Sequence, residues 1–101
     1  MIDVQSINVG LTIEEALEAA CDGMSVLFVS IKPHRTLHDA AILVESKYST
    51  AKIHKNQRQV TFVNGGRVLI IREDQIGRST DGMMFDCTNT THPRIMPRLT
   101  S

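Results

Sequence analysis

Apolar residues along this chain fall into two patterns, continuous runs and stripes repeating every three or four positions. The densest run is Val60-Thr61-Phe62-Val63-Asn64-Gly65-Gly66-Arg67-Val68-Leu69-Ile70-Ile71, which predicts a β-hairpin with arms apolar on both faces. A turn at Gly65-Gly66 uses the positive φ that glycine allows and sets Val63 against Val68, Phe62 against Leu69 and Val60 against Ile71. The competing turn at Asn64-Gly65 sets Phe62 against Arg67 and Thr61 against Val68, which is poorer cross-strand chemistry. The first register is therefore expected. Strands apolar on both faces belong inside a sheet covered on both sides.

The remaining elements follow from the same reasoning. Ile2, Val4 and Ile7–Val9 predict a short first strand ending at Gly10. Thr12 and Glu15 have capping-box spacing, Leu11 can staple against Ala16, and Ile13, Ala16, Leu17 and Ala20 then share one helix face, with a stop at Gly23. Ser25–Ile31, bounded by Gly23 and Pro33, reads as a buried parallel strand. A second helix is expected from Thr36 to about Tyr48, with Leu37, Ala40, Ala41, Val44 and Tyr48 at core spacing. Lys52–Arg58 is polar and basic, a solvent-exposed lead-in to the hairpin. Gly82–Asp86 predicts the fifth strand. From Asn89 onward the chain is expected to be loop and mobile tail, with Arg94-Ile95-Met96 available as a brief edge strand. The order β-α-β-α-β-β-β argues for an α/β three-layer sandwich, its sheet mostly parallel with one β-hairpin.

A chain of 101 residues makes one domain, 1–101, with a real core and little room for more. It contains no run of about 18 apolar residues, and Met1–Ser6 lacks the basic and apolar regions of a signal peptide, so a cytoplasmic location without membrane attachment is expected. Cys21 and Cys87 are then reduced thiols. Charge changes the picture more. Residues 1–24 hold five acids and no Lys or Arg, whereas all 11 basic residues lie from Lys32 onward against six acids, giving about −5 and +5. Such an asymmetry can steer a nucleic acid or a partner subunit.

Three stretches carry a resemblance: Ser25–Ile31 with Pro33-His34-Arg35; Val60–Val68 with its Asn64-Gly65-Gly66-Arg67; and Gly77-Arg78-Ser79-Thr80-Asp81-Gly82-Met83-Met84-Phe85-Asp86. Together they resemble the nucleotide-binding core of phage terminase large subunits and related helicase-like P-loop ATPases. In that family an apolar strand leads through a proline-bearing turn to a helix, a hairpin with an Asn-Gly turn follows, and a later strand ends in the Walker B acid. The resemblance places Asp86 at the magnesium position and Gly10 and Thr12 at the phosphate-binding helix start.

The departures are chemical. A phosphate loop needs wrapping glycines, a Lys and a hydroxyl for magnesium, but Val9-Gly10-Leu11-Thr12 lacks the Lys and is followed by Glu14 and Glu15, which repel phosphate. Cys87 stands where the active family has its catalytic glutamate. The family also places a further strand beside the P-loop strand, and only Arg94–Met96 is available for it. The resemblance thus implies a truncated, non-catalytic relative of phage or mobile-element type, without cofactor, acting by protein binding or self-association. Unpaired sheet edges add the expectation of a dimer.

Two other classes remain open. Lys32, Arg35, Lys52, Lys55, Arg58 and Arg78, with Arg67 and Arg72, can contact phosphates in a nucleic-acid-binding accessory protein. Phe28, Phe62 and Phe85 belong to predicted core strands, so contact through the backbone is favoured over base stacking. A small enzyme would place its site at the carboxyl ends of the strands, near Gly10, Ile31–His34 and Asp86. His34 and His38 have the spacing of a zinc pair, with Asp39, His54 or His92 as third ligand, yet no zinc motif surrounds them and no metal is expected. Asp81 and Asp86 are the most plausible carboxylate pair, and such acids usually form turns or caps.

Overall fold

The structure, a computed structural model, describes residues 2–78, 80 and 82–97. In chain order the elements are β1 (Ile2–Ile7), α1 (Ile13–Cys21), β2 (Ser25–Val29), α2 (Pro33–Lys47), β3 (Lys52–His54), β4 (Gln59–Thr61), β5 (Arg67–Ile71), a 3-10 turn (Glu73–Gln75), β6 (Met84–Thr88) and β7 (Ile95–Pro97). They form one sheet of order β3-β4-β5-β2-β6-β1-β7. Neighbours from β5 to β7 pair in parallel, and β3 and β4 extend the sheet in antiparallel fashion. The α/β class is as expected. The sheet is mixed and has seven strands, where five were expected.

The direction of each crossover explains the layers. From β1 to β2 and from β2 to β5 the chain steps the same way along the sheet, so right-handed connections put α1 and α2 on one face. There they pack on each other, burying Ala16, Leu17, Ala20, Leu37, Ala40 and Val44 against Val26, Val60, Val68 and Ile70. From β5 to β6 and from β6 to β7 the chain steps back, so those connections cross the opposite face. That second core holds Leu27, Ile71, Phe85 and Ile95, closed by Ile76 and Met83. The expected sandwich is corrected accordingly: helices cover one face, and Ile76 and Met83, from the connection between β5 and β6, close the other.

The hairpin adopts neither two-residue turn. Val60 pairs with Val68 and Thr61 with Arg67, leaving Val63-Asn64-Gly65 as a three-residue loop. Phe62 N–H donates to the Gly66 carbonyl at 2.8 Å, and Gly65 takes φ +92°, the conformation such loops require. Docking onto α1 decides the register. A Cβ on Gly66 would lie 1.7 Å from the Ala20 carbonyl oxygen, and Asn64 Nδ2 donates to the Cys21 carbonyl at 2.7 Å. The hairpin tip thus satisfies a carbonyl that the end of a helix leaves open.

Other boundaries moved for local reasons. α2 starts at Pro33 instead of Thr36, because proline suits the first helical position, and β2 therefore stops at Val29. The lead-in 52–58 contains β3, paired to β4, followed by a turn. β6 runs past Asp86 to Thr88, and β7 is Ile95–Pro97, pairing in parallel with β1. The expected tail beyond 97 lies outside the described residues.

Candidate functional site

At the carboxyl ends of the parallel strands, β2 exits toward the helical face while its neighbours β5 and β6 exit toward the other. Connections that diverge in this way open a crevice between strand ends. Asn89 fixes its floor. As β6 ends, the Asn89 side chain replaces the ladder, its Nδ2 donating to Val29 O and its Oδ1 accepting from Val29 N–H, both at 2.8 Å. Thr88 Oγ1 donates to Leu27 O at 2.7 Å just below.

The larger of two adjoining clefts opens from this floor, and the two share Ile31 and Arg72. The smaller, about 510 Å³, is lined by Lys32, His34, Arg35, Arg58, Arg72 and Gln75, with no acid among its described lining residues. Three separate elements bring the cations together. Lys32 is the N-cap of α2 and His34 and Arg35 lie in its first turn, which has no acidic residue and no side-chain cap. Arg58 sits in the turn after β3 with φ +49°, and its carbonyl accepts Ile70 N–H at 2.9 Å, which ties the turn to β5. Arg72 follows β5. Its backbone N–H donates to Gln75 Oε1 at 3.0 Å, and its Nε lies 3.5 Å from Asp74 Oδ1 in an exposed pair.

The larger cleft, about 790 Å³, is lined by Val29, Ser30, Ile31, Asn89, Thr90 and His92, with Glu73 and Asp74 also on its wall. Ile31 is 93% exposed there, in the linker between β2 and α2. Ser30 Oγ is engaged by Thr36 Oγ1 at 2.6 Å and by Lys32 N–H at 3.1 Å.

Of the residues picked out from sequence, Lys32, Arg35, Arg58 and Arg72 converge on the smaller cleft. Lys55 is exposed in the same turn as Arg58, whose N–H bonds to its carbonyl. Lys52 is exposed on the edge strand β3, and Arg78 is exposed after the 3-10 turn. Gly10, Thr12 and Asp86 are not brought together. Thr12 Oγ1 accepts Glu15 N–H at 3.2 Å while Glu15 Oε1 accepts Thr12 N–H at 3.0 Å, so this helix start is closed by its own side chains. Gly10 N–H donates to Asn8 Oδ1 at 3.2 Å. Asp86 lies inside β6, where its carboxylate accepts Ser25 N–H at 2.7 Å near the opposite, amino end of the strands. Asp81 lies outside the described residues. Arg67 stacks over the Phe85 ring at 5.0 Å, a structural contact.

His34 and His38 are both exposed on α2, and no three His, Cys, Asp or Glu side chains converge among the described residues. Cys21 is exposed, and Cys87 is buried with its thiol pKa pushed up by desolvation and by Asp86. Sequence reasoning gave no role to Asn89, Thr90 or Ile31's exposed side chain. Their one signal is position, at the end of an apolar strand run or directly after one. Among the described residues no helix is long and apolar enough to cross a membrane. Comparison with protein families, curated proteins and solved structures gave no match.

Proposed function

We propose that this domain binds the phosphate backbone of nucleic acid through the basic cleft at the carboxyl ends of β2 and β5, without catalysis. The observation that carries the reading is the convergence of Lys32, Arg35, Arg58 and Arg72, delivered by three elements, on one cleft with no acid among its described lining residues. Like charges gathered this way repel one another; Asp74 offsets Arg72 in part, and a polyanion would offset the rest. The start of α2 adds backbone N–H groups and the positive end of a helix dipole to the same place. The test is fluorescence anisotropy with labelled oligonucleotides at about 50 and 200 mM salt. Four neutralised phosphates predict binding weaker at the higher salt by about 50-fold for a single strand and about 150-fold for a duplex, and Arg58→Ala or Arg72→Ala each lowers the salt slope by about one. Absence of binding at about 50 mM salt overturns the reading.

A second reading, a truncated P-loop-ATPase relative of phage or mobile-element type that works through a protein partner or a second copy, has one observation in its favour. β7 lies parallel beside β1, on the side away from β6, where the resemblance calls for a further strand. The sheet edges do not favour strand-to-strand association. β3 has three residues including Lys52, and β7 has three ending in Pro97, both features that blunt an edge. Sedimentation of the purified chain separates the readings, since a salt-independent dimer without nucleic-acid affinity supports the second.

A further inference from the structure

We propose that the larger cleft receives one unstacked base of a single strand, Ile31 providing its apolar contact, so that the domain prefers single-stranded to duplex nucleic acid. This rests on the backbone-binding reading and adds what lies beside the phosphate. The clefts share Ile31 and Arg72, so a phosphate held by the cations of the smaller one leaves its nucleoside facing the larger. Their charges divide the labour. No acid is among the described residues lining the smaller cleft, whereas Glu73 and Asp74 line the larger, which therefore suits a neutral base better than a second phosphate. Its volume of about 790 Å³ lies within the range of small-ligand sites.

Ile31 is the exposed apolar surface at the junction, 93% accessible between polar Ser30 and Lys32. A base whose face is free can cover it; bases stacked in a duplex cannot. Three of the polar groups around it are already engaged: Asn89 with Val29, Ser30 with Thr36 and Lys32, Thr90 Oγ1 with the Thr91 carbonyl at 3.3 Å. Ile31 offers contact by apolar surface, which the face of any base can meet. An aliphatic contact puts the gain at the low end of what a stacked base gives, about tenfold.

Three probes of equal length test this by anisotropy at fixed low salt: a base-bearing single strand, the same strand made abasic throughout, and a duplex. The base-bearing strand is expected to bind about tenfold tighter than either of the others. Ile31→Ser is expected to bring it down to the abasic level, while Ile42→Ser, a like change at an exposed α2 position, keeps the wild-type ratio. An abasic strand or a duplex that binds as tightly as the base-bearing strand overturns the inference and leaves backbone binding standing. If none of the three binds, both fall.

Discussion

The two ends of the parallel strands are built on opposite plans. At their amino ends polar groups are turned onto one another: Gly66 lies under the Ala20 carbonyl, Asn64 caps Cys21, Arg67 N–H donates to Met24 O at 3.0 Å, and Asp86 accepts from Ser25. At their carboxyl ends four cations face an open cleft beside an exposed isoleucine. Both helices begin at that open end, yet only α1 is closed, by Thr12 and Glu15. α2 begins with Lys32, His34 and Arg35, against the preference of a helix dipole for acids. The difference teaches where α2 gets its stability. Leu37, Ala40 and Val44 are buried along its length, so packing holds the helix and its first turn is free to carry charge.

The largest expected effect lies at the sealed end. Gly66→Ala drives a methyl group into a backbone carbonyl, so either the hairpin or the end of α1 must move; a loss of about 3 kcal/mol is expected in urea denaturation. Gly65→Ala is the control. It has open space around its Cβ but holds φ +92°, and its cost of about 1 kcal/mol reflects backbone conformation alone. Equal losses at the two glycines would mean that the tip is not sealed by docking.

This difference between neighbouring glycines also shows what the sequence could reveal. Val60–Ile71 reads plainly as a hairpin, and the Thr12–Glu15 box and the Ser25 run are equally legible, because each depends on near neighbours in the chain. The turn register was not legible, since it depends on Ala20, more than 40 positions earlier. The helical layer was misjudged for a similar reason. Apolar strands announce that both faces are covered, but strand order alone decides which connection lies on which face. Of the candidate site, Lys32, Arg35, Arg58 and Arg72 could be named from charge, whereas Lys52 and Arg78 bear the same charge and lie elsewhere. Asn89 and Ile31 acquire meaning only when β2 and β6 are seen to part.

Exchanging the two helix starts would break the contrast directly. Thr12→Ala opens α1 and should cost about 1 kcal/mol without touching the basic cleft. The pair Lys32→Thr and Arg35→Glu writes the capping box of α1 into α2, its residues standing at the same N-cap and N3 positions. Stability should rise by about 0.5–1 kcal/mol while the salt slope of nucleic-acid binding falls by about two. A variant that is more stable and binds unchanged would show that the first turn of α2 is not part of the site. One that loses both would show that Lys32 and Arg35 support the fold.

The smallest effect comes from alkali and belongs to the helical side of the sheet. Burial raises the Cys87 thiol above its ordinary 9.0, burial and Glu18 raise Tyr48 above 10.0, and the Glu14 partner raises Lys47 above 10.5. In each case the folded chain holds its proton more tightly than the unfolded chain does. As pH passes the ordinary value, the unfolded chain releases protons first and gains on the folded one, so stability falls. Cys87 acts earliest. The melting temperature should begin to drop near pH 9, and the early part of that drop should be missing in Cys87→Ala once each protein is referred to its own value at pH 7. A variant that follows the wild-type curve throughout would place the alkaline loss in Tyr48 and Lys47, at the end of α2 that lies away from the cleft.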